Sequence, residues 1–296
     1  MQTPAVFDRR LLRLRRMRAA SLGAATFLID HVADDLADRL DAALRRFDVA
    51  VDLGTPTDAL CRRIAGRVGV VVAARPSARD AAGGTLRVAA DEEALPFREA
   101  SLDLVVSALA LQFVNDLPGT LIQIRRALKP DGLFLAAMVG GDSLTELRQA
   151  FAEAEAEIEG GVSPRVAPFA DLRDLGALLQ RAGFALPVTD IDRLIVRYAT
   201  PLALMHDLRR MGATNVLVER RRAPLRRATL RRLMEIYAER FSDPDGRVRA
   251  SFEIVWLSGW APHESQQRPL APGSARARLA DALGTAEISA GEKARR

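Results

Sequence analysis

A chain of 296 residues, 49% of them hydrophobic, has room for one large α/β domain or two small ones. No apolar run approaches the roughly 20 residues that a membrane-spanning helix needs, and the opening segment carries arginines where a secretory signal would be apolar. The formal charge is +5 with Lys only at 129 and 293, and aromatic residues make up 5% of the chain and do not interleave with the arginine clusters at 9–16 and 220–222, so nucleic-acid stacking surfaces are missing and the clusters read as solvated helix faces.

Residues 8–46 read as helix, because Leu36, Leu40 and Leu44 recur four apart with Asp34, Asp35, Asp38 and Asp41 on other faces. This makes 1–46 a helical extension. The apolar run 48–54, stopped by Gly54, predicts a first strand, followed by helix through Arg67. Runs at 68–73, 86–90 and 102–107 predict three further strands with room for helices between them, the alternation of a parallel sheet covered on both faces. An amphipathic helix is expected at 116–128, with Leu117, Leu121, Ile124 and Leu128 on one side. Lys129, Pro130, Asp131 and Gly132 then predict a tight turn that delivers a fifth strand at 133–138.

Further along, helices are expected at 142–158 and 171–182, with a Gly-Pro loop at 160–168 between them and a strand at 186–198 after them. A helical insertion at about 201–240 precedes a last strand at 252–260. The helical stripe of Leu204, Leu208 and Met211 reads either as core or as a lid over a site. From Pro272 small and charged residues dominate, so 271–296 is expected to be a disordered tail behind a main domain at 47–270. The sheet should hold seven strands, all parallel except the one at 252–260.

Several segments resemble the class I S-adenosylmethionine (SAM)-dependent methyltransferases: the strand and helix order, the Leu128 to Gly132 turn, and the Ala90-Asp91-Glu92-Glu93-Ala94-Leu95-Pro96-Phe97 segment after the third strand. Five other blocks are more specific, and the last four of them lie outside that generic Rossmann-like fold. They are Asp116-Leu117-Pro118, Gly140-Gly141-Asp142-Ser143-Leu144, Gly160-Gly161-Val162-Ser163-Pro164, Met211-Gly212-Ala213-Thr214-Asn215, and His263-Glu264-Ser265-Gln266 with Arg268-Pro269. Together they resemble the methyltransferase-like assembly factor of respiratory complex I, an arginine hydroxylase, and its bacterial relatives. The malonyl-carrier-protein methyltransferases of biotin synthesis are similar over the first half.

The resemblance implies a ligand site beyond the carboxyl ends of the parallel strands. For SAM it implies Asp52 and Gly54 after strand one, Asp91 and Glu92 after strand three, and Ser107 at the end of strand four. Asp52 and Asp91 read equally well as helix-capping residues. The family's two further turn glycines are replaced by Pro56 and Asp58, which removes positive-φ freedom and a backbone donor. Its ribose-binding acid is replaced by Ala73-Ala74-Arg75, so weak or lost SAM binding is expected. The distinguishing blocks imply substrate or partner contacts at Asp142, Ser143, Ser163, Met211, Asn215, His263, Glu264 and Gln266. Asp142, Ser163, Asn215, His263 and Gln266 are expected to converge at the mouth of the cleft.

Catalytic residues are not named by the sequence. Gln112-Phe113 replaces the relatives' His-Trp, and His31, His206 and His263 stand in no metal-ligand spacing, so no metal is expected. No phosphate-cradling loop is present. Lone Cys61 excludes an internal disulfide and suits a reducing cytoplasm. Three functions follow: a factor that assembles the proton-pumping NADH dehydrogenase by modifying an arginine on a peripheral-arm subunit, a small-molecule or carrier-protein methyltransferase, or a non-catalytic scaffold that has lost SAM. Neither nucleic acid nor membrane insertion is implied.

Overall fold

The computed structural model describes residues 5–76, 86–267 and 279–286. Two helices, α1 (Arg9–Ser21) and α2 (Phe27–Asp41), precede β1 (Phe47–Leu53), α3 (Ala59–Ile64), β2 (Val68–Arg75), β3 (Leu86–Ala89) and β4 (Leu102–Ala108). Then follow α4 (Leu117–Ala127), β5 (Leu128–Val139), α5 (Thr145–Glu159), α6 (Leu172–Arg181) and β6 (Ala185–Tyr198). The first unit of the chain, Met1–Pro262, closes with α7 (Pro201–Arg210), α8 (Arg227–Phe241) and β7 (Val248–Trp260). The second unit, His263–Arg296, contains α9 (Leu279–Leu283). That short helix lies within the stretch 271–296 read as a disordered tail, of which 271–278 and 287–296 are outside the described residues.

One seven-stranded sheet runs β3-β2-β1-β4-β5-β7-β6. The first five strands pair in parallel, and β7 is antiparallel to both β5 and β6, as expected from the sequence. Every residue of β4 is buried, which is why it reads as an uninterrupted apolar run. At the sheet edge, β6 alternates between half-buried and exposed residues along nearly its whole length.

Local chemistry sets the helix starts. Asp116 accepts from Gly119 N at 2.9 Å with Pro118 in the first turn of α4, Asp171 accepts from Arg173 N at 2.8 Å, and Thr200 caps α7 ahead of Pro201. Two expectations need correction. Residues 129–132 are not a turn before the strand: β5 already pairs at Leu128 with Leu102, and Asp131 at φ 62° absorbs the register shift before Leu133 meets Leu104. Leu44 does not continue the helical stripe, since α2 ends at Asp41 and Leu44 is fully exposed.

The helices before β1 are part of the domain. Leu28, Ile29, Val32, Leu36 and Leu40 of α2 share a buried cluster with Ala50, Leu104, Leu133 and Ile254, and Leu12 of α1 with the preceding Phe7 joins another cluster with Phe113, Val216 and Leu217. In the insertion, Leu204 and Leu208 are buried core residues. Among the described residues no helix is long and apolar enough to cross a membrane.

Candidate functional site

At the carboxyl end of β1, Asp52 is fully buried, and both of its carboxylate oxygens are engaged. Oδ1 accepts from the Thr55 hydroxyl, while Oδ2 accepts from Cys61 Sγ at 3.0 Å and Arg75 Nη2 at 2.8 Å. Arg75 ends β2 and also donates to the Asp52 carbonyl at 2.8 Å and the Thr57 carbonyl at 3.1 Å. Burial opposes its charge, but Asp52 outweighs burial and holds the guanidinium above its ordinary value. Burial and Asp52 push the Cys61 thiol up, so Cys61 is a packed thiol with no nucleophilic character. Asp52 therefore ties the turn together and does not cap α3.

Gly54 sits at φ 72°, the left-handed backbone that the turn after β1 requires. The Glu92 side chain packs directly on it: a Cβ at Gly54 would lie 2.9 Å from Glu92 Cγ and 3.0 Å from Ala110 Cβ. Glu92 is 1% exposed, and its charge is met by α1. Arg9 bonds Glu92 Oε2 and, at 2.9 Å, Asp91 Oδ1; Arg13 bonds Asp91 Oδ2; Arg16 reaches within 3.8 Å of Glu92 Oε1. Asp91 Oδ1 also accepts from Glu93 N at 3.0 Å in a local turn, and no helix follows for it to cap as the sequence had allowed. The cluster at 9–16 thus corrects its reading as a solvated face, because Arg9 and Arg16 are 13% and 18% exposed.

Beside these arginines lies a cavity of about 150 Å³ beyond the ends of β1, β4 and β5, walled mainly by alanine, leucine and phenylalanine side chains. Arg16, Thr57, Gln112 and Arg210 are its polar members, and Leu208 and Met211 bring the insertion to it. The insertion stripe therefore serves as core and as cavity wall together.

The other expected residues are dispersed. Ser107 is buried inside β4, donating to the Leu53 carbonyl at 2.8 Å, and Ser143 is buried while stapling the β5–α5 loop to β7 through Glu253 O and N. Both are structural ties without a free hydroxyl for a ligand. Asp142 is exposed and ion-paired with Arg193 at 2.9 Å. Ser163 donates to Glu155, a fully buried acid that also holds Arg165 and that the sequence reading missed. Asn215 donates to the Pro164 carbonyl at 2.6 Å, which joins the 160–168 loop to the insertion.

His263, Glu264 and Gln266 belong to the second unit, whereas Asp142, Ser163 and Asn215 belong to the first. Within the first unit, Val139, which leads to Asp142, pairs with Ile254, whereas β7 ends at Trp260 opposite Leu133, at the other end of the strand pair. In the second unit His263, exposed like Glu264, makes a local turn, with Nδ1 2.7 Å from Ser265 Oγ and N donating to Gln266 Oε1 at 3.2 Å. One metal-capable group exists among the described residues: His31 Nε2 lies 3.7 Å from both Asp35 Oδ2 and Asp192 Oδ2, all partly exposed. Sequence spacing hid it because Asp192 comes from β6.

Residues 47–136 match the family model described as a methyltransferase domain. The arginine-hydroxylase NDUFAF5, mitochondrial, of Danio rerio is 40% identical over 292 residues, covering 93% of this chain and 89% of that protein. Its Homo sapiens counterpart is 41% identical, covering 93% and 82%. The chain belongs to this arginine-hydroxylase family. The family likeness runs well beyond the generic methyltransferase segment. The malonyl-[acyl-carrier protein] O-methyltransferase of Laribacter hongkongensis is 40% identical over 186 residues, covering 63% of this chain and 60% of that enzyme. Among solved structures, the YcgJ protein of Bacillus subtilis superposes with a TM-score of 0.53 at 13% identity, covering 79% and 99%, which establishes the shared fold.

That fold implies SAM, and this family member's residues do not fit the cofactor's nucleoside in the usual way. The ribose hydroxyls need an acceptor where β2 ends, and a guanidinium stands there, bonded back to Asp52. Asp52, Asp91 and Glu92 are already engaged by Thr55, Cys61 and four arginines.

Proposed function

We propose that this protein modifies an arginine on a protein subunit, acting as an assembly factor for NADH dehydrogenase with a peripheral-arm subunit as substrate. The observation that carries this reading is the near-full-length identity to arginine-hydroxylases, which extends past residue 136, where the match to the methyltransferase-domain model ends. The occupied acids support a site that binds SAM weakly or not at all, which separates it from methyl transfer. Buried, unpaired Cys61 is consistent with a reducing compartment such as the cytoplasm. Asp142, Met211, Asn215, His263, Glu264 and Gln266 remain the candidate substrate contacts.

The test is mass spectrometry of the peripheral-arm subunits isolated from cells with and without the gene. Gain of one oxygen atom on an arginine, present only with the gene, is the expected result. Identical arginine peptides in both strains would overturn the reading. The likeness over 63% of the chain to a malonyl-[acyl-carrier protein] O-methyltransferase favours a second reading, carrier-protein methylation. It requires SAM-dependent methyl ester formation on a malonyl carrier protein by the purified chain. A scaffold without catalysis predicts neither modification but impaired assembly of the dehydrogenase in the deletion.

A further inference from the structure

Of the three arginines of α1 that face Asp91 and Glu92, Arg16 is the one least closely answered. Arg9 and Arg13 take the close contacts to Glu92 and Asp91, so three guanidinium groups of α1 face two carboxylates. Arg16 Nη1 donates to the Gly54 carbonyl at 3.4 Å and lies 3.8 Å from Glu92 Oε1, beyond hydrogen-bond length. Its Cζ stands 6.0 Å from the centre of the Phe113 ring. Nε and Nη2 have no hydrogen-bond partner among the described residues. Burial pulls the group down, Glu92 opposes this, and Arg9 and Arg75 add to it, leaving Arg16 at about 10 and still charged at neutral pH.

The Arg16 side chain is 18% exposed and makes one long hydrogen bond, so an anion beside it is favoured. Arg16 lines the apolar cavity, and the cavity's other walls include Leu28, Ile29, Leu109, Met211 and Phe252. A second polar group there lacks a partner: Gln112 is 7% exposed, and its Oε1 accepts from nothing among the described residues while Nε2 donates to Leu109 O. An apolar cavity of about 150 Å³ is of the size that takes a benzene-sized molecule.

We propose that this cavity binds a small, largely apolar carboxylic acid of benzoate or hexanoate size, with its carboxylate on Arg16 and its hydrocarbon against the leucine, isoleucine and phenylalanine wall. The carboxylate replaces the missing counter-charge, and the hydrocarbon gains from burial. A ligand that also carries a donor satisfies Gln112. The inference stands whether or not the target of the protein is an arginine, since it concerns only what the cavity admits. A protein partner's aspartate or glutamate offers the carboxylate but too little hydrocarbon to fill the space.

Calorimetry on the full chain tests this with benzoate, its neutral isostere benzamide, a glutamate-containing peptide and S-adenosylhomocysteine. Benzoate should bind at least about tenfold more tightly than benzamide, a difference of ~1.4 kcal/mol. Arg16→Gln should abolish that preference, and Arg16→Lys should retain part of it. Circular dichroism of both variants shows that they fold. The proposal is overturned if benzamide binds as tightly as benzoate, if Arg16→Gln keeps the preference, or if benzoate fails to bind at millimolar concentration. It is equally overturned if the peptide or S-adenosylhomocysteine outcompetes benzoate, which would assign the anion site to a partner or to the nucleoside cofactor. None of these outcomes touches the arginine mass shift by which the proposed function stands or falls.

Discussion

Arg75→Met separates the structural role of the Asp52–Arg75 pair from any role in binding. Methionine keeps an unbranched stem of comparable length, so the main loss is the guanidinium that bonds the Asp52 carboxylate and the Asp52 and Thr57 carbonyls. Asp52 is fully buried and Arg75 is 8% exposed, so the variant leaves a buried carboxylate with only Thr55 and Cys61 as donors. Breaking a buried pair on one side costs about 3–5 kcal/mol. With an unfolding entropy of about 2.1 cal/mol/K per residue, or ~0.6 kcal/mol/K over 296 residues, the melting temperature should fall by roughly 5–8 °C. Asp52→Asn combined with Arg75→Met removes the stranded charge and should recover at least half of the loss. Differential scanning calorimetry of the wild type, both single variants and the double variant completes the cycle. A single variant that melts within about 1 °C of wild type, or a double variant that is the sum of the two singles, would refute the reasoning.

Gly54→Ala should destabilise by at least about 1–2 kcal/mol from left-handed backbone alone, with more from collision with Glu92, and urea denaturation giving wild-type stability would sink the assignment. Burial raises the Glu155 carboxyl, but the Ser163 N–H and hydroxyl and Arg165 outweigh it and hold the group below its ordinary value. That stability is present above the unfolded glutamate range and is lost as pH falls through the lower folded value. The melting temperature of wild type should therefore drop more steeply than that of Glu155→Gln on acidification below about pH 4.5, and parallel curves would contradict this. For SAM, wild type should show negligible binding by calorimetry. Pro56→Gly with Asp58→Gly and Arg75→Glu should gain more affinity than the same pair with Ala74→Asp, because Ala74 is 1% exposed inside an apolar cluster while Arg75 occupies the acceptor position. Low-micromolar binding by wild type would show that the engaged acids still admit the cofactor.

The fold was legible where burial alone sets the residue type. Inner parallel strands such as β4 have both faces covered, so an apolar run identifies them, and the alternation of β6 marks an edge. The misread start of β5 has a physical cause: Pro130 and Gly132 are turn residues by propensity, yet pairing of Leu128 with Leu102 extends the strand, and Asp131 alone takes positive φ. For the site, the sequence showed which residues differ from a SAM turn but not what replaces the ligand's contacts. Arg9, Arg13 and Arg16 fall at spacings of four and three, one helix face, and an acidic stretch at 91–93 is the kind of partner such a stripe needs. That signal was readable, but the same spacing suits a solvated face, and only the placement of α1 decides between them.

The two departures from the methyltransferase pattern act on the same groups from opposite sides. Arg75 engages Asp52 from β2, and the arginine stripe engages Asp91 and Glu92 from α1, so acids that would serve a nucleoside hold protein to protein instead. Beside them lies the apolar cavity, whose least matched polar groups are one guanidinium and one amide oxygen. A pocket with surplus positive charge repels a free guanidinium as strongly as it attracts a carboxylate. Under the proposed arginine modification, a substrate guanidinium must therefore approach outside the Arg16 wall, or reach the carboxylates only after the arginines of α1 withdraw. Of these residues Arg13 is the most exposed, at 47%, and it bonds only Asp91, so exchange at that pair requires the least unfolding of α1.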